Sequence, residues 1–86
     1  MKEELIGRVS HWYGKISVMA ITLTGHLAVG DTIHVKGHTT DFEQRVTSMQ
    51  IWHQSVDEAG PGDQVGIKVD HRARVGDRVY KVVEAE

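Results

Sequence analysis

Six histidines in 86 residues, with no cysteine, are the densest chemistry in this sequence. His34 and His38 stand four apart, and imidazole nitrogens are common zinc ligands. That spacing shares a face on a helix, whereas Gly37 turns the chain between these two. Without thiolates the other ligands would have to come from His26, His53, His71 or distant carboxylates. Surface and turn histidines are therefore expected, with no metal site. Ser10/His11, His38/Asp41 and His53/Ser55/Asp57 hold the residue types of acid-base or nucleophilic catalysis. A nucleophile needs a base within hydrogen-bond reach and a third group to orient it, and proximity in a loop implies neither. No Gly-x-Ser-x-Gly elbow and no Gly-x-x-x-x-Gly-Lys-Ser/Thr phosphate loop occurs. The expectation is a non-enzyme with no catalytic, cofactor-binding or metal-binding residue.

Binding chemistry is better represented. Arg72 and Arg74 flank His71, Lys15, Lys36, Arg45 and Lys68 are spread along the chain, and Trp12, Tyr13 and Trp52 offer aromatic surfaces. Arginine with exposed aromatics grips single-stranded RNA through phosphate contacts and base stacking, and the same residue types are protein hot spots. Strand parity puts Trp12 with Arg8 and Ser10, and puts Trp52 opposite Met49 and Ile51. Both indoles are thus expected outside the core, and Trp12, Arg45 and Trp52 are nominated as the face a partner covers. A protein partner or RNA fits that face. The net charge of −2 argues against the broadly basic field of a non-specific nucleic-acid binder, although protonating all six histidines would bring it to +4.

The elements that must carry these residues are punctuated by three Gly-Asp pairs, Gly30-Asp31, Gly62-Asp63 and Gly76-Asp77, each opening an alternating apolar run. Glycine tolerates positive φ and aspartate bonds local backbone, so each pair marks a turn between strands. Strands are predicted over 5–12, 16–23, 32–36, 41–53, 64–69 and 77–82, with Val9, Val18, Ala20, Ile33, Val35, Val46, Val65, Ile67 and Val79 facing in. The 16–23 strand is apolar on both parities, as if covered on both sides. The phase of the 41–53 strand changes between Val46 and Met49, which calls for a bulge or bend at Thr47-Ser48. The connector 56–63 is read with one helical turn at 57–59. With no amphipathic helix and no repeat, the prediction is one all-β domain over 1–86, core about 5–83, folded as a small closed six-stranded barrel of Greek-key type. A chain without cysteine, signal core or ~20-residue apolar span is expected to be soluble and cytoplasmic, with no membrane partner.

The order of the pieces resembles the β-barrel second domain of translation elongation and initiation factors. Gly25 with Leu27-x-Val29-Gly30-Asp31-x-Ile33 carries the likeness. Val46-x-x-Met49-Gln50-Ile51-Trp52, the segment Val56-Asp57-Glu58-Ala59-Gly60-Pro61-Gly62-Asp63-Gln64-Val65-Gly66-Ile67 and Val75-Gly76-Asp77-x-Val79 follow in the same order. Lys36-Gly37-His38-Thr39-Thr40-Asp41-Phe42 with Ser48-Met49-Gln50-Ile51 is similar to small stand-alone translation-factor-like proteins. It also resembles the barrel at the C-terminus of certain collagenase-like peptidase family members, some of which act in RNA hydroxylation. The resemblance implies a non-catalytic adaptor for RNA-handling or peptidase-family proteins, with autonomous tRNA binding as the alternative. The factors' contacts to the aminoacyl end of tRNA have no residue-by-residue match here, so that site is not carried over.

Overall fold

Each Gly-Asp pair closes the same four-residue turn in the computed structural model, which describes residues 2–83. In turns 28–31, 60–63 and 74–77 the glycine sits third with φ of 101°, 91° and 94°, the left-handed value a type II turn requires there. The aspartate then bonds the first residue of its turn twice. Its N–H donates to that residue's carbonyl at 3.1 Å in all three turns. Its carboxylate accepts the same residue's N–H at 2.9 Å from Ala28, 2.9 Å from Gly60 and 2.8 Å from Arg74.

Ten strands follow from this punctuation: β1 (Lys2–Tyr13), β2 (Val18–Leu23), β3 (Leu27–Ala28), β4 (Thr32–Lys36), β5 (Asp41–Arg45), β6 (Met49–Ile51), β7 (Gln54–Val56), β8 (Glu58–Ala59), β9 (Gln64–Lys68) and β10 (Arg78–Val83). The turns launch β4, β9 and β10, and each turn also grips one residue in or just beyond the strand that its own strand pairs with. Val46 after β5, Leu23 of β2 and Val9 of β1 each accept a hydrogen bond from the turn glycine and donate one to the aspartate carbonyl, all at 2.8–2.9 Å. The ladders continue with one offset, Thr32 opposite Arg45, Gln64 opposite Thr22 and Arg78 opposite Arg8. Two residues after each aspartate, Ile33, Val65 and Val79 are buried, and four before it Leu27, Ala59 and Ala73 are buried as well. The chain therefore does hold a repeat, spaced too unevenly to be seen as a sequence period.

All-β is what forms; the closed six-stranded barrel is not. Eight strands make one open antiparallel sheet in the order β5-β4-β10-β1-β2-β9-β6-β7, and β3 pairs with β8 apart from it. The chain leaves strand pairing at residues 46–48, so the predicted 41–53 strand becomes β5 and β6, with pairing interrupted across Thr47-Ser48. Among the described residues no strand pairs with the outer edge of β5. Gln44 reaches across instead, its Nε2 donating to the Lys68 carbonyl at 2.9 Å and its Oε1 accepting the Asp70 N–H at 2.8 Å. One side-chain amide thus ties the β5 edge to the end of β9 where closure would need a ladder.

Seven of the nine predicted core residues are buried, and Val18 and Ala20 are not. In β2 the inward set is Met19, Ile21 and Leu23, with the other parity only half-covered, so apolar character on both faces did not mean two covered faces. β1 buries both Ile6 and Val9, of opposite parity, because its register slips by one residue on each of its two ladders. The 57–59 segment is no helical turn: Glu58–Ala59 is strand, paired with Leu27–Ala28. No helix among the described residues is long and apolar enough to cross a membrane.

Two substitutions test this frame by denaturant unfolding. A Cβ on Gly62 would meet no atom within 4 Å, so Gly62→Ala isolates the backbone requirement and should cost about 1–2 kcal/mol. Ile67→Ala, at a fully buried position, should cost about 2–5 kcal/mol. A neutral Gly62→Ala would remove the turn geometry from the account of stability.

Candidate functional site

The β6–β7 hairpin closes through Trp52 and His53, with Ile51 and Gln54 as the last ladder pair. Both turn residues have positive φ, 51° and 64°, the signature of a type I′ turn, which asparagine and glycine fill best. Bulky residues in this region carry strain of order 1–3 kcal/mol each. Trp52 is also 92% exposed, the most exposed large hydrophobic side chain of the described residues. The sequence predicted its exposure from strand parity; the structure exposes it for a different reason, at a hairpin tip.

Trp12 is not free in the same way. It is half-buried and packs against the core, and its remaining surface lines an open cleft of about 500 Å³ with Gly14, Ser17, Asp70, His71 and Arg72. A second cleft of about 470 Å³ lies on the other side of His71 and Arg72, lined by residues 39–43. Phe42 faces His71 there at a ring-centroid distance of 5.1 Å. Loop 70–74 thus stands as a ridge carrying an imidazole and a guanidinium between two shallow clefts. Arg45 lies elsewhere, on the edge strand β5, its guanidinium close to Gly30 of the first turn. In the sheet order β2 and β9 lie between the strand of Trp12 and β6, which leads into the Trp52 turn, and Arg45 ends the edge strand β5. The residues gathered with Trp12 are His71 and Arg72, whose neighbourhood with each other was readable in sequence but whose meeting with Trp12 was not.

A third cluster surrounds His34. Its Nδ1 lies 2.6 Å from Glu3 Oε2 and its Nε2 lies 2.5 Å from Asp41 Oδ1. Only an imidazolium donates from both nitrogens at once. Burial opposes the charge on the ring, yet the hydrogen bonds to Asp41 and Glu3, with the charges of both, outweigh it, and His34 titrates above its ordinary 6.5. Asp41 is correspondingly held below its ordinary 3.8, chiefly by the hydrogen bond from His34. Glu3, His34 and Glu43 place ligand-type atoms within 4.8 Å of one another. Both ring nitrogens face carboxylates, an arrangement that a doubly protonated ring satisfies. His38, the other half of the His34/His38 spacing, lies exposed in the β4–β5 turn.

The serine and histidine groupings do not assemble. Ser10 Oγ donates to the Ala20 carbonyl at 3.3 Å, His11 stacks near Tyr13 at 4.3 Å, and Asp41 is engaged by His34 rather than His38. Among the described residues no hydrogen bond joins His53, Ser55 and Asp57.

No protein-family model matches the chain. A protein of Methanocaldococcus jannaschii named an uncharacterized protease is 49% identical over 80 residues, 92% of this chain and 20% of that protein. The chain thus spans about a fifth of the curated relative it matches. The crystal structure of the C-terminal domain of a Geobacillus thermoleovorans protein described as a U32 peptidase superposes with a TM-score of 0.87 at 19% identity, covering 93% of each chain. The selenomethionine variant of that domain gives 0.84, covering 88% of this chain and 96% of the other. At that identity the likeness to these two is one of fold.

The hairpin tip gives a direct test of whether Trp52 serves the fold. Replacing Trp52-His53 by Asn-Gly relieves the left-handed strain, and the double variant should gain about 1 kcal/mol or more of stability by denaturant unfolding. Trp52→Ala alone should leave the melting temperature nearly unchanged. A loss of several kcal/mol in either protein would make Trp52 structural.

Proposed function

We propose that the chain is a non-catalytic binding domain that works with a peptidase-family protein, and that Trp52 is its principal contact. The exposure of Trp52 on a strained turn is the observation that carries this reading. A large ring left in water at a position better filled by asparagine or glycine lowers the stability of the free domain, and a partner that covers the ring recovers that loss. The peptidase names of the sequence relative and of the fold neighbours supply the class of partner. The unassembled serines and histidines favour a non-catalytic role. The three Gly-Asp turns, in the order seen in the second domain of translation factors, support the same adaptor architecture, and the absence of cysteine suits a cytoplasmic setting. No cofactor enters this reading.

The cleft beside loop 70–74 favours a second reading, an autonomous RNA-binding module. There an indole, an imidazole and a guanidinium adjoin one another, the combination that stacks a base and meets a phosphate.

Capture from native extract at low salt, with protein and RNA both identified in the eluate, separates the two. Wild-type protein should retain a peptidase-family protein, and Trp52→Ala should weaken that retention about tenfold or more, as for a hot spot. Equal retention by the variant would refute the role given to Trp52. Recovery of RNA alone, lost with Arg72→Ala and insensitive to Trp52→Ala, would replace the first reading with the second.

A further inference from the structure

Residues 2–5 of β1 are held from one side only. Their ladder to β10 covers one side only, since pairing with β2 begins at Gly7, and all four are exposed. β5 is similarly an edge strand, with β4 as its ladder partner among the described residues. His34, on β4 between these two margins, is, among the described residues, the side chain bonded to both: to Glu3 across the outer face of β10 and to Asp41 on β5. Its own side chain is only 13% exposed, against 35% for Glu3 and 72% for Asp41, so the ring is the fixed member and the carboxylates are the mobile ones.

We propose that Glu3, His34 and Asp41 form a pH-sensitive latch, closed by the doubly donating imidazolium and released by its deprotonation, that holds residues 2–5 and the β5 edge onto the sheet. A neutral imidazole has one N–H. After loss of the proton, one ring nitrogen presents a lone pair to a carboxylate oxygen at 2.5 or 2.6 Å, and that carboxylate must swing into water. The groups around the ring sharpen the effect. β1 contributes Glu3, β5 contributes Asp41 and Glu43, β10 places Tyr80 opposite the ring, and β4 itself carries Lys36, whose charge favours ionised Asp41. Three carboxylates thus converge, and once the ring is neutral the cations of that face are Lys36 on β4 and its register partner Arg78 on β10.

The direction of the pH dependence follows from both members. His34 binds its proton more tightly when folded, so its contribution is complete below 6.5 and is lost as pH rises through its higher folded value. Asp41 binds its proton less tightly when folded, so its contribution is complete above 3.8 and is lost as pH falls through its lower folded value. The latch is therefore fully closed between 3.8 and 6.5 and opens on the alkaline side of that window.

Amide hydrogen exchange on the full chain, with rates divided by the intrinsic rate at each pH, reads this opening locally. From about pH 5.5 to about pH 8.5, protection of residues 2–5 and 41–45 should fall about tenfold while β2 and β9 keep theirs. His34→Gln should abolish the fall. Asp41→Asn, at an exposed position that folding does not depend on, should lower the NMR midpoint of His34 and shrink the fall. A drop of equal size in His34→Gln, a drop spread evenly over the sheet, or a His34 midpoint at or below 6.5 would overturn the latch.

Discussion

A backbone residue has one donor and one acceptor, and at three places in this chain both are taken by the same Gly-Asp turn. Val9, Leu23 and Val46 are each buried and each closed from both sides by the glycine N–H and the aspartate carbonyl of turns 74–77, 60–63 and 28–31. Because the aspartate also ties its own turn with backbone and carboxylate, the hook is rigid before the following strand begins. It then fixes the pairing register at a common offset, and a strand whose register is fixed has its faces fixed as well. Core placement of Ile33, Val65 and Val79 follows from the hooks as much as from hydrophobicity. A domain of this size has little stability in reserve, and three copies of one device let it specify a sheet without a disulfide. The second residue of each turn, Val29, Pro61 or Val75, points out at the tip, free of the hook's demands.

What the sequence disclosed follows the same division between local and distant interactions. Turn chemistry is local, so all three Gly-Asp turns were legible, and with them the strands they launch and the seven core residues that share their phase. The interruption at Thr47-Ser48 is legible because a period of two cannot change phase within one regular strand. β2 misled because Val18 and Ala20 are apolar without being inside; nothing local marks which apolar face meets the core. The slips in β1 and the reach of Gln44 to residues 68 and 70 depend on strands distant in sequence, so an open sheet was read as a closed barrel. The candidate sites divide in the same way. The β4–β5 hairpin could have placed His34 near Asp41, while Glu3 lies 31 residues away and only the fold brings it there. Trp52 was placed in a strand because Trp52-His53 is a poor I′ sequence, and the mismatch that hid the turn is what now singles it out.

Sheet edges govern the remaining design. An open sheet offers unpaired backbone at both margins, a template for unwanted pairing unless it is shortened, charged or covered. At the β5 margin all three protections appear: five residues, the charges of Asp41, Glu43 and Arg45, and the Gln44 tie to the end of β9. The β7 margin has only its brevity, three residues reading Gln54, Ser55 and Val56, with no charge and no tie of the Gln44 kind. It adjoins the Trp52 turn, so the least protected edge and the most exposed large hydrophobe of the described residues belong to one hairpin. That hairpin reaches the rest of the sheet through a short ladder, Met49 and Gln50 against Ile67 and Gly66. Local stability falls where ladders are short and exposed, so the short ladder of the β6–β7 hairpin ties it to the hooked core by few hydrogen bonds. A domain selected only for stability would place Asn-Gly at its tip and a lysine on its edge. Trp52 and a neutral β7 edge, in a fold that guards its β5 edge so fully, are the physical argument behind the contact role proposed for this hairpin.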